Sequence, residues 1–71
     1  MKLHYYPETD SLTIELKPKP GAEVREIADG LNVDLDEADE IVGFDIDHAS
    51  CRLDLTTLET IALPLKTTRA A

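Results

Sequence analysis

The chain has a single cysteine, Cys51, no tryptophan, and only seven Lys and Arg against fifteen Asp and Glu. Each scarcity excludes something. One cysteine cannot form an internal disulfide framework and fits a reducing, cytoplasmic setting. Three aromatic residues, Tyr5, Tyr6 and Phe44, provide no platform for stacking nucleobases. A formal net charge of -8 repels phosphate backbones and anionic lipid, so neither nucleic acid nor a membrane surface is expected as a direct partner. No apolar run approaches the ~20 residues that cross a bilayer. No basic segment leads into an apolar h-region at the start, so no signal peptide is expected. The three glycines, Gly21, Gly30 and Gly43, are isolated and make no phosphate-binding loop.

What is present is enough for one small domain. Seventy-one residues lie at the low end of the domain range of about 50–250. A hydrophobic content of 42% is too high for a disordered acidic tail. A chain this short buries only about 60% of its unfolded surface, so a thin core is expected.

Alternation of apolar and polar residues marks five strands. Lys2–Tyr6 places Leu3 and Tyr5 on one face. The turn Pro7-Glu8-Thr9-Asp10 leads into the clearest strand, Ser11–Lys17, where Leu12, Ile14 and Leu16 alternate with Ser11, Thr13 and Glu15. The short connection makes these two a hairpin. Pro18-Lys19-Pro20-Gly21 interrupts the pattern. In Glu23–Ala28, Val24 and Ile27 do not share a period-2 face, which predicts a bulge or an edge strand. After Asp29-Gly30, Leu31, Val33 and Leu35 alternate with Asn32, Asp34 and Asp36. After the acidic loop Glu37–Glu40, Val42, Phe44 and Ile46 alternate with Gly43, Asp45 and Asp47.

The alternation ends at His48. Ala49–Leu53 reads as one helical turn on the sheet. Thr56-Thr57-Leu58-Glu59 matches a capping box, with Leu58, Ile61 and Ala62 on one helical face. Ile61, Leu63 and Leu65 also alternate, leaving a closing edge strand open, since Pro64 bars a central one. The expected fold is α+β and β-rich. It is a small antiparallel β-meander covered on one face by a short C-terminal helix or lid, because an open sheet cannot leave its apolar face in water. Residues 1–66 form the domain and 67–71 a frayed tail.

Tyr5-Tyr6-Pro7-Glu8-Thr9-Asp10-Ser11-Leu12-Thr13-Ile14 resembles the opening of DUF2283, a family of small bacterial and archaeal proteins. Gly30 to Asp36, Ile41 to Ile46 and Ala49-Ser50 resemble its second half, and the likeness covers roughly residues 1–53. The resemblance implies a compact β-rich domain without a recognised catalytic constellation. It also implies an antitoxin-like role, since some members are encoded beside small toxins.

Between Asp29 and Asp47 lie eight carboxylates and no Lys or Arg. Asn32, Asp34 and Asp36 are expected on one face with Asp45 and Asp47, a like-charge arrangement that costs stability. Such a face serves solubility first, a basic protein partner second, and a metal cation last. Asp34-x-Asp36 is not an EF-hand: Ala38 stands at the third ligand position, Asp39 replaces the glycine, and Asp45 ends the loop. His4, His48 and Cys51 fall short of a four-ligand zinc set. No base is marked beside Cys51, Ser11 or Ser50, and Cys51 is expected to be buried. No catalytic residue, metal or cofactor is therefore assigned.

The expected function is a non-enzymatic protein-interaction module, an antitoxin-like neutraliser of a small basic protein. Asp34, Asp36, Asp45 and Asp47 steer the encounter, and Leu58, Ile61 and Leu65 anchor it. The alternative is a structural homo-oligomer whose sheet edges or tails pair about a two-fold axis. A cation-binding or enzymatic use of the surface carboxylates comes last.

Overall fold

The computed structural model describes residues 1–64. Leu65, Lys66 and the expected tail 67–71 lie outside the described residues, so the outer boundary of the domain does too.

Five strands form one antiparallel sheet: β1 (Lys2–Tyr6), β2 (Ser11–Glu15), β3 (Glu23–Ala28), β4 (Leu31–Leu35) and β5 (Ile41–Ile46). One short helix follows, α1 (Ala49–Arg52). The expected strands all form: β1 and β3 have the expected bounds, and β2, β4 and β5 end one or two residues earlier. Their order in space is β1-β2-β5-β4-β3. The simple meander therefore holds for β1-β2 and for β3-β4-β5 but is corrected at the join. β2 pairs with β5, and β3 lies at the far edge, which gives β2 to β5 the spatial order of a Greek key.

The link from β2 to β3 must cross the end of the sheet, and three contacts hold it there. The Leu16 N–H donates to the Val42 carbonyl at 2.9 Å, and the Ala22 N–H to the Leu35 carbonyl at 2.7 Å. Between them the Lys19 ammonium donates to the Asp36 carboxylate at 3.0 Å.

Both explanations of the broken alternation in β3 are realised. β3 is an edge strand, and its register with β4 shifts between Glu26 and Ala28, leaving Ile27 as the extra residue. A second shift, between β4 and β5, pairs Leu35 with Ile41 instead of Val42.

Register fixes the two faces. Leu3, Ile14, Phe44 and Val33 form one apolar row, and Tyr5, Leu12, Ile46 and Leu31 the next. The opposite face carries His4, Thr13, Asp45 and Asn32 in one row and Lys2, Glu15, Gly43 and Asp34 in the next. The core is thin. Its buried apolar residues are Leu12, Val33, Leu35, Val42 and Ala49, and no described side chain larger than alanine is fully enclosed.

α1 has one turn, and Ala49 is its buried residue. His48 stands at its N-cap with φ 53°, and its side chain makes no capping bond. The capping-box helix expected from Thr56 does not form, because the local side chain closes a different structure. Asp54 accepts from the Thr56 N–H and hydroxyl, and 54–64 carry no helix or strand. Leu53, Leu55 and Leu58 run along one side of the apolar face and remain 38%, 40% and 77% exposed.

Candidate functional site

Two surfaces carry the chemistry, one on each face of the sheet. On the polar face, Asp34 on β4 and Asp45 on β5 are diagonal neighbours, because Asp34 faces Gly43 and Asp45 faces Asn32. Diagonal side chains on adjacent strands lie within reach of one another, and here the two carboxyls interact. Partial burial, and then the Asp45 charge and hydrogen bond, raise the Asp34 carboxyl above its ordinary range. Asp45 has a second partner, the Thr13 hydroxyl, which donates to it at 2.9 Å from β2. Gly43 lies between Glu15 and Asp34 in the cross-strand row. A methyl group there would stand 2.8 Å from the Ile14 carbonyl oxygen, so the backbones approach too closely for a side chain. Among the described residues, no ion pair involves Asp34 or Asp45.

The other two carboxylates expected on this face are elsewhere. Asp36 follows the end of β4 and is buried, which corrects its assignment as a surface steering residue. Its carboxylate accepts from the Lys19 ammonium, from the Ala38 N–H at 2.8 Å and from the Glu40 N–H at 3.0 Å. Hydrogen bonds from the Glu40 backbone and from Lys19 hold its carboxyl down to about 2. Asp36 therefore ties the β4–β5 turn to the crossing link. Asp47 is exposed just past the end of β5, where its N–H donates to the Gly30 carbonyl at 2.8 Å.

On the apolar face, Leu3, Tyr5, Leu12 and Ile14 meet Ser50, Leu53, Leu55 and Leu58 around an open groove of about 650 Å³. Leu58 thus lines a surface, as an anchor residue would, and is 77% exposed. Ile61 is 80% exposed and does not line the groove, and Leu65 lies outside the described residues.

The polar groups at the groove wall form a cluster that strand and helix patterns do not reveal. Asp10 ends the β1–β2 turn with φ 54°. Its carboxylate accepts from the Tyr5 hydroxyl at 2.7 Å, the Ser50 hydroxyl at 2.7 Å and the Ser50 N–H at 3.1 Å. Its carbonyl accepts from the Ala49 N–H at 2.9 Å. Asp10 does from a distance what an N-cap residue does locally, satisfying orphan donors at the start of α1. Tyr5 and then Ser50 lower the Asp10 carboxyl, and Asp10 raises the Tyr5 phenol. The only sequence signal was an aspartate in a turn, a residue type that accepts readily from backbone.

Cys51 is exposed, which corrects its expected burial; it stands on the outer side of a one-turn helix whose only buried member is Ala49. His4 stacks on Tyr6 on the polar face, with ring centroids 4.2 Å apart. Among the described residues, no group of three or more His, Cys, Asp or Glu side chains is arranged to hold a metal ion. No helix among them is long and apolar enough to cross a membrane.

No curated protein and no solved structure matches the chain. The family described as a protein of unknown function (DUF2283) matches residues 2–50, which hold the whole sheet and the start of α1. The chain therefore belongs to the DUF2283 family.

Proposed function

We propose that the chain is a non-enzymatic protein-interaction module that captures a small basic protein, in the manner of an antitoxin. The observation that supports this most is the Asp34–Asp45 couple on the polar sheet face, to which no described residue brings a cation. Two interacting carboxylates suit a surface completed by a partner's Lys or Arg, and the Asp34 carboxyl is raised by burial first and by Asp45 second. Exposed Asp47 adds to the same field, whereas Leu58 lines the groove on the opposite face of the sheet and has no part in this surface. Asp36 has no part in this reading, because its charge is already matched by Lys19.

The test is co-expression with the product of the neighbouring gene, followed by capture and mass spectrometry. A stoichiometric basic protein is expected. Asp34→Asn together with Asp45→Asn should then slow its association severalfold and flatten the dependence on salt, while dissociation changes less. Association kinetics that are the same in the double variant would sink the steering role.

A further inference from the structure

We propose that the outer edge of β1 pairs with the same edge of a second copy of the chain, antiparallel about a two-fold axis, to make one continuous sheet. The strand order leaves two edges, β1 and β3. The backbone groups on the outer side of an edge strand are a template for a further strand unless the edge is guarded. β3 is guarded. Its register with β4 breaks between Glu26 and Ala28, and Glu23, Arg25 and Glu26 put charge along it. β1 has neither guard. Its register with β2 runs without a shift from Lys2↔Glu15 to Tyr6↔Ser11, and its one formal charge, Lys2, lies at the strand's end, 3.8 Å from Glu15. All five β1 residues are exposed, and among the described residues only β2 forms a ladder with β1. Leu53, Leu55 and Leu58 lie on the apolar face beside Leu3 and Tyr5 and make no backbone bond to β1.

Charge and pattern make a second copy the fitting occupant of this edge. The chain carries a net charge of -8, which opposes self-association wherever acids meet. β1 is the one strand without Asp or Glu, so no acid meets another along the seam. Leu3 and Tyr5 belong to the apolar face, and Lys2, His4 and Tyr6 to the polar one. Directly opposite residues share a face, so a register that keeps both faces intact pairs odd positions with odd and even with even. The register of this kind that uses the whole strand sets Leu3 opposite Tyr5 of the second copy, Lys2 opposite Tyr6 and His4 opposite His4. The apolar rows then continue across the seam. Leu3 and Tyr5, 46% and 40% exposed, each gain an aliphatic–aromatic neighbour.

The acids elsewhere stay apart in this arrangement. Strands lie about 4.8 Å apart, so Asp45 on β5, third from the edge, stands about 24 Å from its counterpart, about three Debye lengths in physiological salt. Asp34 on β4 stands farther still. Glu15 is beside Lys2. Glu8 and Asp10 lie in the β1–β2 turn, and antiparallel pairing puts the two turns at opposite ends of the seam, about 17 Å apart, each near Lys2 of the other copy. Asp10 keeps the Tyr5 hydroxyl and Ser50, and Asp54 keeps Thr56, and none of these bonds uses a β1 backbone group. The pairing is isologous and leaves the guarded β3 at both outer edges, so it predicts dimers and no larger assembly.

A five-residue edge is a small interface and gives a weak dimer, so the full chain is tested by sedimentation equilibrium from about 10 μM to about 1 mM. The mass should rise toward twice that of the chain at the upper end. His4 is exposed and lies on the two-fold axis, so His4→Glu sets two carboxylates directly opposite and His4→Lys two ammonium groups. Each variant alone should raise the dissociation constant about fivefold, and an equal mixture of the two should restore association by pairing opposite charges. Hydrogen exchange should show the outward amides of β1 gaining protection as concentration rises, with those of β3 unchanged. A monomer throughout the range, a mixture no tighter than either variant alone, or a dimer whose protection falls on β3 instead of β1 each overturns the proposal. Asp34 and Asp45 lie on inner strands away from the seam, so partner capture and this pairing can each fail without the other.

Discussion

Asp10 accepts two hydrogen bonds from Ser50, one from its N–H and one from its hydroxyl, across forty positions of chain. This pair joins the first turn of the protein to its only described helix. A four-residue helix has little stability of its own, since nucleation alone is unfavourable. It forms where Asp10 receives its first N–H groups and where the apolar side of Ala49 is buried.

Ser50→Ala removes one of these bonds and leaves the backbone one. A loss of about 1 kcal/mol is expected in urea denaturation. Asp10→Ala should cost more, since it also releases Tyr5 and forces alanine into φ 54°. Hydrogen exchange at the Ser50 amide should rise in Asp10→Ala far more than in Ser50→Ala. Equal rates in the two variants would mean that the Asp10 carboxylate does not hold the helix.

Asp36 makes stability depend on acid. Its folded carboxyl titrates near 2, below its ordinary 3.8, so the folded state holds the charged form more tightly than the unfolded chain does. The contribution is therefore complete above about 3.8 and is lost as pH falls through the folded value near 2. Thermal midpoints measured from pH 5 to pH 2 should fall in the wild type. In Asp36→Asn the midpoint should begin lower and fall less steeply over that window. A variant with the wild-type slope would show that other carboxylates set the acid limit.

Gly43→Ala should destabilise the sheet by about 1–3 kcal/mol, the usual cost of forcing atoms into a packed site. The added methyl would meet the Ile14 carbonyl oxygen at 2.8 Å and the Asp34 carboxylate at 3.4 Å. The first is backbone and cannot swing aside. The amides along the β2–β5 pairing should lose protection first. A variant as stable as the parent would mean that the two strands separate easily at this point.

Sequence reading succeeded where a property is local. Leu12–Ile14, Leu31–Val33–Leu35 and Phe44–Ile46 show their strands by alternation, and the misplaced Ile27 shows its bulge. Asp34 and Asp45 were legible as neighbours because a tight acidic loop joins their strands. Asp36 was misread because alternation was extended one residue too far. Past the end of β4 the chain turns, and its carboxylate faces Lys19 and the turn N–H groups. The Thr56 capping box does not form because Asp54, two residues earlier, takes the Thr56 N–H that the Glu59 side chain would accept and engages the Thr56 hydroxyl as well.

By itself the sequence determined the number of strands, their hairpins, the division into an acidic and an apolar face, and membership of a family. These follow from period-2 patterning, turn residues and charge, all of which act over a few residues. Only the tertiary structure decided that β2 lies beside β5, that Lys19 and Asp36 pin the crossing link, and that Asp10 holds α1. It also decided that the described residues form a groove beside Leu3 and Tyr5. Each of these joins residues far apart in the chain. Their free energy depends on the burial and hydrogen bonding available when the whole sheet is assembled, which no local pattern records.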